Sequence, residues 1–207
     1  MSRYRTDDEI EEIAKRLRMR LGFERDTPID MMAVLQKLQV LSACFRFERL
    51  TDFKLPDAEA QWDAAQGLMT LRESVYQGVI AEHPRARMTA AHELGHFALG
   101  HSGVRNRSLV KNAAEKFVSA VKQEEFEARR FAAIFLAPAY LVGASETVES
   151  ISSRFGLSLE AAAIRQEEVA KLARRATGQM RELPPGVVDF LRAAKERGEK
   201  VTTVLPD

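Results

Sequence analysis

The chain has 207 residues, of which 45% are hydrophobic and 29% charged, and this composition excludes intrinsic disorder and a fibrous architecture. Lys and Arg number 31 against 30 Asp and Glu, so net charge offers no argument for a nucleic-acid or membrane partner. The single cysteine, Cys44, cannot form an internal disulfide, and the first residues lack the apolar run of a secretory signal. We therefore expect a soluble, cytoplasmic protein with a core that folds without disulfides.

Helical periodicity dominates the chain. Thr6 and Glu9 have the spacing of a capping box, and apolar residues then recur with helical period as far as Leu21. Pro28 predicts the first turn of a second helix, and Pro138 predicts the end of the longest one. The predicted helices cover approximately residues 7–21, 28–38, 73–82, 89–99, 111–136, 145–155, 158–176 and 187–196.

Extended segments are few and short. The alternation from Phe45 to Glu48 predicts a strand over residues 40–48, and residues 68–71 predict a second one. Residues 51–66 are polar and predict irregular structure, whereas the KVTTVL segment at 200–205 predicts an extended tail. The pattern indicates an α+β fold, predominantly helical with a small sheet. We expect residues 1–140 to form the core domain and residues 141–207 a helical extension packed on it.

The histidines are confined to one part of the chain, at His83, His92, His96 and His101. Residues 92–96 read HELGH, and residues four apart on a helix share one face, so both imidazoles of this motif can reach one ion. Neutral imidazoles suit zinc, and a catalytic zinc site has three protein ligands and an open position for water. Glu93 lies about 100° around the helix from His92, where it can act as a general base beside that water.

A third metal ligand has to come from elsewhere in the chain. His101 lies about 180° around a continuous helix from His92, so it is a poor ligand unless Gly100 breaks the helix and swings it back. His83 precedes a proline and has no helical register with the pair. A site made of three local histidines is therefore not expected.

The acidic run within the longest predicted helix offers the remaining candidates. Glu124 and Glu125 lie about 50° on either side of the apolar stripe of this helix, whereas Glu127 lies about 110° away. A carboxylate at the border of a buried face needs a partner, and a metal ion is one. Periodicity thus predicts that Glu127 faces solvent and leaves both Glu124 and Glu125 open as the third ligand.

Two segments resemble the ImmA/IrrE family of zinc-dependent metallopeptidases. Residues 88–101, MTAAHELGHFALGH, are similar to the motif helix of the family with its trailing histidine. Residues 125–138, EFEARRFAAIFLAP, are similar to the family's second helix, which ends at a proline. The resemblance extends over roughly residues 7–170 and implies a zincin-like domain that hydrolyses peptide bonds by water attack.

The resemblance also implies roles for particular residues. By position, His92, His96 and Glu125 would hold Zn²⁺, and Glu93 would be the general base. Arg129 departs from the family pattern, which commonly has Asn or Asp there; an arginine four residues after Glu125 can pair with it and weaken metal binding, or recruit another partner. Several family members act on a helix-turn-helix repressor, which makes a cytoplasmic regulator of that kind the expected protein substrate.

Two alternatives to a peptidase remain. Residues 145–155 and 158–176 flank Gly156 as the helices of a helix-turn-helix would, which is typical of a DNA-binding protein. Acidic residues are interleaved with basic ones in the second of these helices, so it is a weak candidate for phosphate binding and is better interpreted as a hairpin packed on the core. The other alternative is a zinc-binding regulator without catalytic turnover, which the arginine at position 129 favours.

Overall fold

The computed structural model describes residues 4–56, 58–101, 111–143, 145–176 and 185–197. Within these ranges the chain forms eight helices and a three-stranded sheet, which confirms the predominantly helical α+β class. The strands are β1 (Arg46–Leu50), β2 (Ala60–Asp63) and β3 (Leu68–Arg72). The helices are α1 (Asp7–Leu21), α2 (Met31–Leu41), α3 (Glu73–Ile80), α4 (Pro84–Ala98), α5 (Lys111–Leu136), α6 (Val148–Phe155), α7 (Leu159–Ala176) and α8 (Pro185–Glu196).

The helices with clear capping signals follow the sequence predictions closely. At α1 the Thr6 side chain accepts from the N–H of Glu9, and the Glu9 side chain accepts in return from the N–H of Thr6. The bounds of α5 agree with the predicted 111–136. Gly156 ends α6 in a left-handed conformation as predicted, but the helix begins at Val148, after the cap Thr147, and not at the predicted residue 145. Local side-chain chemistry was therefore enough to place these elements.

Other predicted boundaries were wrong as well. α2 begins at Met31 and not at Pro28, because Asp30 caps it. The Asp30 side chain accepts from the N–H of Ala33 at 2.9 Å. The same helix continues to Leu41, so β1 starts six residues later than predicted. α4 begins at Pro84 instead of near residue 89, because a proline is well accommodated in the first turn of a helix.

The prediction of irregular structure over residues 51–66 missed β2. This strand has four residues, of which only Trp62 is buried, and so short a segment gives no readable alternation. The sheet order is β1-β3-β2, with β1 parallel and β2 antiparallel to β3. The rings of Phe45, Trp62 and Phe97 pack together, and this contact places the edge strand β2 beside α4. The predicted tail at 200–205 lies outside the described residues.

The chain divides into two compact units. Met1–Val169 contains the sheet, α1 to α6 and most of α7, and Ala170–Asp207 contains the end of α7 and α8. The packing of residues 141–207 as an extension on a core of residues 1–140 stays a prediction. Among the described helices, none combines the length and the apolar character that a membrane span requires.

Candidate metal centre

His92 and His96 project from one face of α4 towards Glu125 on α5. The Nε2 atoms of the two histidines are 3.2 Å apart, as expected for residues separated by one helical turn. Nε2 of His92 lies 3.3 Å from Oε2 of Glu125, and Nε2 of His96 lies 3.3 Å from Oε1. The structure thus brings together the two motif histidines and one of the two glutamates that periodicity had left open.

A close approach of α4 and α5 makes this convergence possible. Gly95 lies where α4 contacts α5. A Cβ atom at this position would be only 3.1 Å from the carbonyl oxygen of Ala128 and 3.2 Å from its Cα. Ala128 is one turn after Glu125 on α5. Because glycine has no side chain, the backbones of α4 and α5 approach closely here, and Glu125 lies in contact with His92 and His96.

The three side chains fit a tetrahedral metal ion. Ligand bonds of 2.0–2.1 Å, the lengths that zinc makes to nitrogen and oxygen, place ligand atoms roughly 3.3–3.4 Å apart at the corners of a tetrahedron. The two Nε2 atoms are 3.2 Å apart, and each lies 3.3 Å from a different oxygen of Glu125, so the separations are close to these values. His92, His96 and Glu125 accordingly form a group that could hold a metal ion, with ligand atoms all within 4.8 Å of one another.

The neighbouring charged residues of α5 do not join this group. Glu124 is buried but is not part of the cluster, and the Arg129 side chain is exposed. The Glu125 carboxylate contacts His92 and His96, and hydrogen bonds from these imidazoles hold its pKa well below the usual range of a glutamate. The carboxylate is therefore ionised, as a metal ligand must be.

Glu93 lies beside the cluster without being part of it. Glu93 is only 9% exposed, and the backbone of Trp62 on β2 is one of the groups that favour its charged form. Burial raises the pKa of Glu93, and the opposing effect of His92 and His96 is smaller. A carboxylate whose pKa is raised towards neutrality is better matched to proton transfer than an ordinary glutamate.

The turn after α4 decides where His101 lies. Gly100 has φ of +65°, the N–H of Gly100 donates to the carbonyl of Phe97, and the N–H of His101 donates to that of His96. This is the Schellman arrangement that ends many helices. It swings His101 back so that its Nδ1 is 3.0 Å from Nδ1 of His96, on the side of that ring away from Glu125. His83 is exposed at the start of α4.

The prediction that Glu127 faces solvent was wrong, because its side chain is fully buried. The backbone N–H and Nη1 of Arg5 donate to it at 3.1 and 2.8 Å, and Nε2 of Gln123 donates at 2.8 Å. Nε2 of His101 is 3.3 Å away. Burial raises the pKa of Glu127, but hydrogen bonds from Gln123, Arg5 and His101 outweigh it, so the net pKa is lowered.

Sequence reasoning missed Glu127 and Arg5 because helical periodicity describes one element at a time. The segment before α1 and the turn after α4 both cover a face of α5 outside the apolar stripe. A histidine left without a role, His101, was the one available signal that a buried carboxylate lay nearby.

Comparison with known proteins finds a family similar to the segment that carries this site. The Peptidase M78 family model, described as an IrrE N-terminal-like domain, matches residues 79–167, which include both motif histidines and all three glutamates at 124, 125 and 127. The match shows that residues 79–167 are similar to this family. The match confirms the resemblance to the ImmA/IrrE family and identifies α4 and α5 as parts of an IrrE-like, metallopeptidase-like domain.

A solved structure with a similar fold is a Mycobacterium tuberculosis transcriptional regulator, which is 16% identical and superposes with a TM-score of 0.50. The alignment covers 76% of this chain and 46% of the regulator, so this chain spans less than half the length of that protein. At this identity the likeness concerns the fold alone. No curated protein sequence gives a significant match to the chain.

Proposed function

We propose that the IrrE-like domain is a zinc-dependent metallopeptidase that hydrolyses a peptide bond by attack of water. In this proposal His92, His96 and Glu125 hold one Zn²⁺, and Glu93 is the general base. The observation that carries it is the convergence of the Nε2 atoms of His92 and His96 and the Glu125 carboxylate, at separations of 3.2–3.3 Å that are close to the ligand spacing around zinc. The family of residues 79–167 supports the same reaction class.

The chain's own residues supply binding and proton transfer. Zinc, when bound, polarises the scissile carbonyl and makes water a stronger nucleophile at neutral pH. Glu93 takes the proton of the attacking water and passes it to the nitrogen of the leaving amine, so no covalent enzyme intermediate forms. The burial of Glu93 keeps competing water away from its carboxylate.

The proposed substrate is a cytoplasmic helix-turn-helix repressor, and this part of the proposal rests on the family resemblance. A test uses the helix-turn-helix regulator encoded nearest to the gene for this chain, together with a fluorogenic peptide library. Wild-type protein is expected to hold about one zinc per chain and to cleave. Glu93→Gln should keep the zinc and abolish cleavage, because the amide cannot accept the proton.

A zinc-binding regulator without turnover is the second candidate, since the fold resembles that of a protein titled a transcriptional regulator. The Glu93→Gln variant separates the two. If it holds zinc and retains every regulatory effect of the wild type in cells, the peptidase proposal is wrong. A salt-dependent shift of duplex DNA would instead favour a DNA-binding role for α6 and α7.

A further inference from the structure

A cavity of about 250 Å³ lies beside the first turns of α4, outside the proposed metal centre. α3 and α4 meet at this cavity, where a Cβ atom on Gly78 would be only 2.7 Å from the Cβ atom of Ala86. Val75 and Ala86 are buried, so the floor of the cavity is apolar. The volume is below the roughly 300 Å³ at which sites for drug-sized ligands begin, and it suits a single side chain of a longer peptide.

The rim of the cavity is polar, and its opposite charges are paired. Glu59, which comes just before β2, lies 2.5 Å from Nη2 of Arg85 and accepts from the hydroxyl of Thr89 at 3.4 Å. Ser74, also at the cavity, is in the first turn of α3, and its N–H donates to Asp52 at 3.0 Å. A charged side chain that entered the cavity would lose hydration and would have to compete with an existing ion pair. An aliphatic side chain would meet the apolar floor at no such cost.

The cavity lies along the stripe of α4 that carries the two motif histidines. In a helix of 3.6 residues per turn, an arc of about 60° contains Arg85, Thr89, His92 and His96. Thr89 and Arg85 precede His92 by three and seven residues, which correspond to about 4.5 and 10 Å along the helix axis. An extended peptide advances about 3.3 Å per residue, so a peptide cleaved at the metal centre would bring its second or third residue from the cleaved bond to the cavity.

We propose that this cavity is a specificity subsite of the peptidase and takes an aliphatic side chain of the substrate, two or three residues from the cleaved bond. The inference rests on the proposed function and adds the kind of residue that the enzyme selects. Val75 and Ala86 contact the bound side chain, and Gly78 lets α3 and α4 approach closely enough to form the floor. Burial of a leucine-sized side chain here corresponds to a preference of about 10–100-fold in kcat/KM over a charged residue.

The first measurement is the cleavage profile of the zinc-loaded protein on a library of random peptides, with the cleaved bonds identified by mass spectrometry. We expect the wild type to prefer leucine, isoleucine, valine and methionine at one position, two or three residues from the cleaved bond. Ser74→Phe places a ring at the exposed mouth of the cavity and should lose this preference while the preferences at other positions remain. Cleavage by the wild type without an aliphatic preference at these positions, or with a preference for a charged residue there, overturns the proposal.

Two control variants separate filling of the cavity from other effects. Ser74→Ala removes the same hydroxyl but leaves the cavity open, so it should keep the wild-type profile. Ser153→Phe adds the same ring at an exposed position of α6, away from the cavity lining, and should keep the profile too. If Ser74→Phe also keeps the wild-type profile, or if Ser74→Ala loses it, the subsite is wrong and the proposed peptidase stands.

The second measurement needs no catalysis and no variant. Methyl ¹H–¹³C spectra of the wild-type protein, with and without zinc, are recorded with the peptide acetyl-Gly-Gly-Leu-Gly-Gly-amide and with the same peptide containing aspartate in place of leucine. We expect the leucine peptide to shift the methyl signals of Val75 and Ala86 and the aspartate peptide to leave them unchanged. Equal shifts from both peptides, or none from the leucine peptide, overturn the subsite, and this result also decides the case if Ser74→Phe does not fold. If the zinc-loaded protein cleaves no peptide of the library but the leucine peptide shifts these signals, the proposed peptidase fails and the cavity stands as a binding site for an aliphatic side chain.

Discussion

Three glutamates within one turn of α5 have three different environments. Glu124 is buried outside the metal cluster, Glu125 is partly exposed and faces the two histidines, and Glu127 is fully buried under Arg5 and His101. The three side chains are chemically identical, so they differ only in the residues that surround each of them. Only Glu125 has its carboxylate where two imidazoles also converge, and this position assigns it the role of third ligand in our proposal.

A pair of matched substitutions tests that assignment. Glu125→Gln removes the negative charge from the cluster and should lose most of the bound zinc, because a neutral amide oxygen is a much weaker ligand than a carboxylate. Glu124→Gln makes the same chemical change one residue away and should retain about one zinc per chain. Elemental analysis after dialysis measures both. Retention by Glu125→Gln together with loss in Glu124→Gln would show that the third ligand is wrong.

Only the site residues that share a local motif could be predicted from the spacing of the sequence alone. The pair His92 and His96 and the base Glu93 follow from a five-residue motif on a helix. Glu125 needed the family resemblance, because an apolar stripe gives the direction of a side chain to within about a quarter turn and no better. The contact between Arg5 and Glu127 could not be predicted, because the two residues are far apart in the sequence and periodicity describes a single helix.

The metal site depends on how closely α4 and α5 pack. Gly95→Ala would place a methyl group 3.1 Å from a backbone carbonyl, and a backbone atom yields less readily than a side chain. We expect the free energy of unfolding of the zinc-free protein to fall by about 1–3 kcal/mol and zinc affinity to fall with it, as α5 moves away from the histidines. Urea denaturation and zinc competition measure the two effects.

Gly186→Ala is the control for this substitution. Gly186 lies in α8, and a Cβ atom there meets nothing within 4 Å, so alanine should leave stability unchanged or raise it slightly. If Gly95→Ala behaves in the same way, close packing of α4 and α5 is not what sets the position of Glu125.

Element boundaries were predictable where a capping side chain marks them. Thr6 and Gly22 delimit α1, and the bounds of α5 followed from its long apolar period. Prolines were less informative, because α4 starts at Pro84, several residues before the predicted start at residue 89. The strand β2 could not be predicted, since its place is determined by pairing with β3 and by Trp62 packing on α4.

A buried charge cluster joins distant parts of the first compact unit. Arg165 on α7 is fully buried, donates to the carbonyl of Ala137 at 2.7 Å and pairs with Glu11 on α1 and with Glu168. Arg130 on α5 pairs with Glu168 as well. Because the guanidinium of Arg165 is committed to these partners, it is not available to a DNA phosphate, which argues against α7 as a recognition helix.

Removing Arg165 should therefore destabilise the fold. Arg165→Ala leaves two partly buried carboxylates and a carbonyl without their partner, and we expect the free energy of unfolding to fall by about 3–5 kcal/mol. Arg16→Ala breaks an exposed pair with Glu12 on α1 and should change stability by less than about 0.5 kcal/mol. Urea denaturation of both variants measures the difference. Equal effects of the two substitutions would contradict a structural role for the buried cluster.

X-ray absorption at the zinc edge tests the central claim most directly. Protein loaded with one zinc per chain should show two imidazole nitrogens and additional oxygen ligands at about 2.0–2.1 Å, from His92, His96, Glu125 and solvent. His101→Phe should leave the number of imidazole ligands unchanged, because His101 contacts His96 and not the metal. A sulfur ligand, or a third imidazole that disappears in His101→Phe, would contradict this site.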